Sequence, residues 1–212
     1  MVCRMEAASG ELPLGRLDAF SDAVFAIAIT LLVLELGIDA DAAPHLLESI
    51  LHQWPSYLAY FTSFLTVGTI WLQHSAVTGS LRAADVTLYR LNLVVLLLAS
   101  FLPFPTKLLS EFLGNRGAER IAAVFYGLTL VALGLALRAF ARYAAGLRAR
   151  GPGEVSIDTV DSLLRTPSAF IYGFGIGISL LFPTAGVITY PVSAIARGFP
   201  TRDLRKLLLR RP

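Results

Sequence analysis

The chain has 212 residues, of which 55% are hydrophobic and only 16% charged, with a mean hydropathy of +0.65. A soluble domain of that length could not bury so much apolar surface, so an ordinary water-soluble globule is excluded. The formal net charge of +3 comes with no zinc-finger, helicase or base-stacking pattern, so nucleic acid is not expected as a partner.

Charge-free windows alternate with short charged ones, the pattern of a polytopic all-α membrane protein, and no polar linker divides it into domains. The single cysteine, Cys3, cannot form an internal disulfide or a thiolate metal cluster. The N-terminal tail has no apolar core before Leu17, so the first apolar segment is expected to be retained as a span. That first span covers residues 19–36, the second 54–78, the third 91–109 and the fourth 121–143. Each is long enough for a hydrocarbon core of ~30 Å at ~1.5 Å per residue. The last window is too long for one straight helix. Pro183 and Gly186 interrupt it, which predicts two short spans, 168–181 and 185–196, joined by a tight turn.

Six spans with both termini cytoplasmic place all but Lys107, Arg116 and Arg120 of the 18 basic residues on the inner side, as the positive-inside rule requires. Five spans would put the basic tail TRDLRKLLLRR outside. The loop between the first two spans carries Asp39, Asp41 and Glu48 but no Lys or Arg, as an external loop would. The excess of basic residues then reads as topology and attraction to anionic headgroups.

GxGxxG, GxxxxGK[ST], HExxH and GxSxG are all missing, so no enzyme is expected. His45 and His52 stand seven apart with Glu48 between them, a spacing open to a surface metal ion. Chance placement on a solvated loop explains them more simply, and no cofactor is expected.

On a helical wheel of the first span, at ~100° per residue, Phe20, Ile27, Leu31 and Leu34 form one narrow stripe. Ala19, Ala23, Ala26, Thr30 and Gly37 form a second, rotated by ~80°. Small residues allow close backbone approach. Periodicity alone leaves both stripes open to packing against helices or lipid. Asp22, at the mouth of this helix, is costly in a membrane without a function or a partner. Arg16 lies too far round the helix to pair with it, which leaves Gln73, His74, Arg90 and Asn92 as available partners.

Arg16-x-x-x-Phe20-Ser21-Asp22, followed directly by AVFAIAITLLVLEL, resembles the first-helix signature of the lysosomal and endosomal potassium channel family (the transmembrane protein 175 family), most closely its prokaryotic members. Phe61-Thr-Ser-Phe64 through Trp71-Leu-Gln-His74 resembles its second helix, and Leu91-Asn92 with Phe101-Leu-Pro-Phe104 its third. The likeness is good over residues 14–107 and loose beyond. It implies six transmembrane helices per subunit and a homotetramer in the plasma membrane of a prokaryote, with the first helix lining a central pore. It also implies that Ile27, Leu31 and Leu34 form the narrow apolar rings, in place of the TVGYG carbonyl filter that this chain lacks. Arg16, Phe20, Ser21 and Asp22, with Trp71, His74 and Asn92, would hold the pore helix in place. Potassium would be the permeant ion, with lipid and copies of the same chain as partners. Thr30, ~60° from Ile27, is the natural selectivity hydroxyl, and preference for potassium over sodium should be modest. The rival readings are a proton-coupled transporter or proton pathway using Asp22 and His74, a membrane enzyme, and a non-conducting scaffold.

Overall fold

Proline and capping residues set the helix starts. The computed structural model describes residues 13–37, 44–113 and 117–148, with the isolated positions 177 and 189. Helix α1 (Leu14–Leu31) follows Pro13 and tightens into a 3₁₀ turn at Leu32–Glu35. Helix α2 (Leu46–His52) is short. Helix α3 (Trp54–Thr78) has a proline, Pro55, in its first turn, where the missing N–H is not needed. Helix α4 (Val86–Phe101) is capped by Asp85, whose carboxylate accepts from the Leu88 N–H at 2.8 Å. Helix α5 (Pro103–Phe112) follows after Leu102. Gly117, with a φ of +110° that only glycine adopts cheaply, opens α6 (Ala118–Arg148).

Three of the four expected windows in this region differ from the helices that occupy them. α1 starts before position 19 and carries Arg16 and Asp18, because a helix entering a membrane can keep charged residues at its mouth. The third window is two helices, broken where Pro103 and Pro105 lack the N–H groups that would continue α4. α6 runs beyond 121–143 at both ends. α3 occupies residues 54–78, as the second window does. The expected spans 168–181 and 185–196 lie outside the described residues.

α1 packs against α3 and α4, α6 against α4 and α5, and α3 against α5. Phe25, Leu88, Leu102, Leu109, Tyr126, Leu130, Leu133 and Phe140 fill the space between them. Among the described residues, three segments are long and apolar enough to cross a membrane: Leu14–Glu35, Val86–Phe112 and Ala118–Leu147. α3 is long enough but polar inside, where Thr62, Ser63, Thr66, Thr69, Gln73, His74 and Thr78 are buried. Its exposed side carries Phe61, Phe64, Trp71 and Leu72. Without water, the buried hydroxyls must be satisfied internally. Ser63 Oγ lies 2.7 Å from Thr106 Oγ1 and 3.0 Å from Tyr126 Oη, which joins α3, α5 and α6. Thr66 donates to the Thr62 carbonyl at 2.8 Å.

Candidate functional site

The residues of the Arg16–Asp22 segment diverge around α1, because each residue turns the helix by ~100°. Ser21 points inward and is fully buried. Its hydroxyl donates to the Leu17 carbonyl at 2.7 Å and accepts from Asn92 Nδ2 at 2.9 Å. Asn92 Oδ1 then accepts from His74 Nε2 at 2.6 Å, which fixes the proton on that nitrogen. The His74 ring stacks on Phe140 (5.0 Å, 8°) and lies 5.4 Å from Phe25. One chain of hydrogen bonds thus joins α1, α3 and α4, and a stacked ring adds α6. Tyr89 donates to the Pro13 carbonyl at 2.7 Å, fastening the start of α1 to α4.

Asp22 points elsewhere. Its Oδ1 accepts from Trp71 Nε1 at 2.8 Å, on an exposed part of the surface. The expectation that Asp22 pairs with Gln73, His74, Arg90 or Asn92 is therefore corrected. Ser21, one residue earlier, takes the side where Asn92 and His74 meet, and Trp71, three residues before His74, reaches the carboxylate. Arg16 and Phe20 are exposed. Asp22 and His74 share no hydrogen bond, so the two groups of the relay reading are not directly linked.

Further along α1, the buried side is Leu17, Ser21, Phe25, Ala28 and, in the 3₁₀ turn, Leu32. The opposite side is bare. Ile27 is 58% exposed, Leu31 41% and Leu34 72%. Ala19, Ala23, Ala26 and Thr30 on the small-residue stripe are exposed as well. The Thr30 hydroxyl donates to the Ile27 carbonyl at 2.9 Å, which uses its proton and leaves its oxygen as an exposed acceptor. Only 28% of the α1 span is buried, against 39% and 44% for the other two. At the far end, Glu35 sits in the field of Lys107 and Glu111 on α5, themselves 3.9 Å apart.

Among the described residues, no group of three or more His, Cys, Asp or Glu side chains could hold a metal ion. His52 instead lies 3.7 Å from Glu48, both well exposed.

Two interhelical links escape a sequence reading. Asp85 Oδ2 accepts from Tyr143 Oη and links α4 to α6. Burial pushes the Asp85 carboxyl up, but the Tyr143 hydroxyl and the backbone N–H groups of Leu88, Thr87 and Asp85 outweigh it and hold the carboxyl below its usual range. An aspartate just before an apolar run is a helix-start signal, so its capping role was legible, while its tyrosine partner was not. The Ser63–Thr106–Tyr126 cluster has no sequence signal, since its members lie far apart in the chain.

Apolar spanning helices locked together by buried polar side chains define a multi-pass membrane protein. The model of the family described as "Endosomal/lysosomal potassium channel TMEM175" matches residues 16–103. A potassium channel of Chamaesiphon minutus is 34% identical over 180 residues, 82% of this chain and 88% of that protein. A potassium channel of Streptomyces collinus is 44% identical over 126 residues, 59% of this chain and 61% of its own length. The Gallus gallus protein named endosomal/lysosomal proton channel TMEM175 is 37% identical over 106 residues, covering only 21% of that longer protein. The crystal structure of a lysosomal potassium-selective channel TMEM175 homolog from Chamaesiphon minutus superposes with a TM-score of 0.76 at 33% identity, over 87% of this chain and 95% of that one. The chain belongs to the TMEM175 family.

Proposed function

We propose that the protein is a potassium channel whose pore is lined by α1 from four copies of the chain, with Ile27, Leu31 and Leu34 as successive apolar constrictions. The observation that carries this reading is the bare side of α1. Large aliphatic groups at helical spacing stand next to a stripe of small residues, on the least buried of the three apolar spans. Small residues suit close contact with a neighbouring copy, and the aliphatic stripe then faces a shared axis. The names of the two bacterial relatives support potassium as the ion. The six-span count and the cytoplasmic termini belong to the same proposal.

An apolar ring too narrow for a hydrated ion dewets and blocks it, so opening widens the ring by tilting or rotating α1. Potassium loses its water more cheaply than sodium, and Thr30 oxygens near the first ring compensate part of that loss. Selectivity for potassium over sodium is modest, and discrimination among larger alkali cations is poor. Glu35 concentrates cations at the outer mouth.

The test is current in liposomes from Ile27→Asn and Leu31→Asn. A polar ring holds water, so current rises about tenfold or more, equivalent to ~1.4 kcal/mol off the barrier, and potassium preference falls. Unchanged currents remove these residues from the pore.

A second reading, proton passage, has one observation in its favour: the vertebrate relatives carry the name proton channel. Asp22, exposed on α1, is the side chain it would use. Side-by-side potassium, sodium and proton fluxes from the same vesicles separate the two, and Asp22→Asn abolishes proton flux alone if this second reading holds.

A further inference from the structure

Helix α2 buries none of its residues, although it is rich in leucine. Leu47 is 72% exposed, Leu51 68% and Leu46 49%, and Trp54, at the start of α3, is 50% exposed. At ~100° per residue, Leu46, Leu47 and Leu51 share one arc of α2 with Ile50. Glu48 and His52 lie on the opposite arc, beside His45 and Ser49. Apolar and polar groups are thus completely separated around α2.

We propose that α2 is an interfacial helix that lies in the plane of the membrane surface, with its leucines in the acyl boundary and Glu48 and His52 in the headgroup water. Three observations choose lipid as the occupant. Only Gln53 separates α2 from α3, a helix of 25 residues whose exposed side carries Phe61, Phe64, Trp71 and Leu72. On α3 itself, Trp54 and Phe61, seven residues apart and so on one side of that helix, are both exposed. Trp54 stands at the junction, where amphipathic rings favour the headgroup level. A face of two helical turns also falls well short of the ~800 Å² per partner that a standard protein interface buries.

One end of α2 is anchored within the chain. The Gln53 side-chain amide donates to the Gly37 carbonyl, which ties the end of α2 to the segment leaving α1. The inference depends on membrane insertion and not on ion conduction, so a failure of the channel reading leaves it standing.

The test uses the full chain in palmitoyl-oleoyl phosphatidylcholine vesicles. Cys3→Ser removes the only native thiol, and single cysteines at 47, 48, 51 and 52 carry nitroxide labels. Labels at 47 and 51 should be accessible to oxygen, protected from a water-soluble nickel chelate, and ~5–10 Å below the headgroup boundary. Labels at 48 and 52 should show the reverse. Equal nickel access at all four positions overturns the proposal. So does protection from both reagents with dipolar broadening at 47 and 51, which would assign the face to a second copy. Should labelling disturb folding, a Trp71→Phe variant leaves Trp54 as the sole tryptophan. Shallow-brominated lipid should then quench Trp54 more strongly than deep-brominated lipid, and no quenching by either overturns the proposal.

Discussion

The two halves of α1 are held by different physics. The half around Ser21 and Asp22 is fastened by directional hydrogen bonds to Asn92 and Trp71, and by Tyr89 at Pro13. The half from Phe25 to Leu32 is held by apolar contact alone on its buried side, through Phe25, Ala28 and Leu32. Hydrogen bonds fix the rotation of a helix about its axis, because they fail when the angle changes. Apolar contact has no such angle and tolerates sliding and tilting. The bonded half therefore sets which way Ile27, Leu31 and Leu34 point, and the apolar half is where the helix can move.

The comparison can be broken by substitutions on either side of it. Leu32→Ala should cost the most stability, about 2–5 kcal/mol from lost burial and the cavity left behind, read as a lower unfolding midpoint in detergent. Potassium preference should stay unchanged, since no directional contact is lost. Asn92→Ala should cost less, about 1–3 kcal/mol from stranding His74 Nε2 and Ser21. It should nevertheless alter current and selectivity, because the rotation of α1 is released. The reverse pattern, with selectivity tracking Leu32 and indifferent to Asn92, would overturn the division.

Asp85 sharpens the same contrast at a third contact, outside the spans. Its carboxyl is held below the ordinary range in the folded chain. It thus contributes stability above its unfolded pKa and loses that contribution as pH falls through the lower folded value. Asp85→Asn keeps a good cap but should cost about 1 kcal/mol at neutral pH, moderated by solvent screening. It should also flatten the decline in stability on acidification, measured as the unfolding midpoint across the acid range. Trp71→Phe should have the smallest effect, about 0.5–1 kcal/mol, because water can replace the exposed Asp22 bond. A larger loss would mean that Asp22 is dry in the assembled protein.

Much of the architecture was legible in the residues. The charge-free windows at 19–36, 54–78, 91–109 and 121–143 each fall on helix, because a bilayer needs long apolar runs, but they miss the charged ends of three of the helical segments they mark. The wheel of the first span separates Ile27, Leu31 and Leu34 from the small residues, since helical periodicity depends only on spacing. The segment Arg16 to Asp22 identifies the family. The break after Leu102 was also written in the chain, in Pro103 and Pro105, but hydropathy is blind to it.

Spacing cannot say which helix stands beside which. Asp22 could have met any of several polar side chains on the second and third spans, and packing decided for Trp71 while Ser21 received Asn92. The Ser63–Thr106–Tyr126 cluster and the Asp85–Tyr143 bond likewise join residues with no sequence relation. Helices form locally from repeating apolar positions and their caps, so the chain encodes them directly. Side-chain partners depend on how the helices rotate and lean together, and that is settled only when the whole bundle packs.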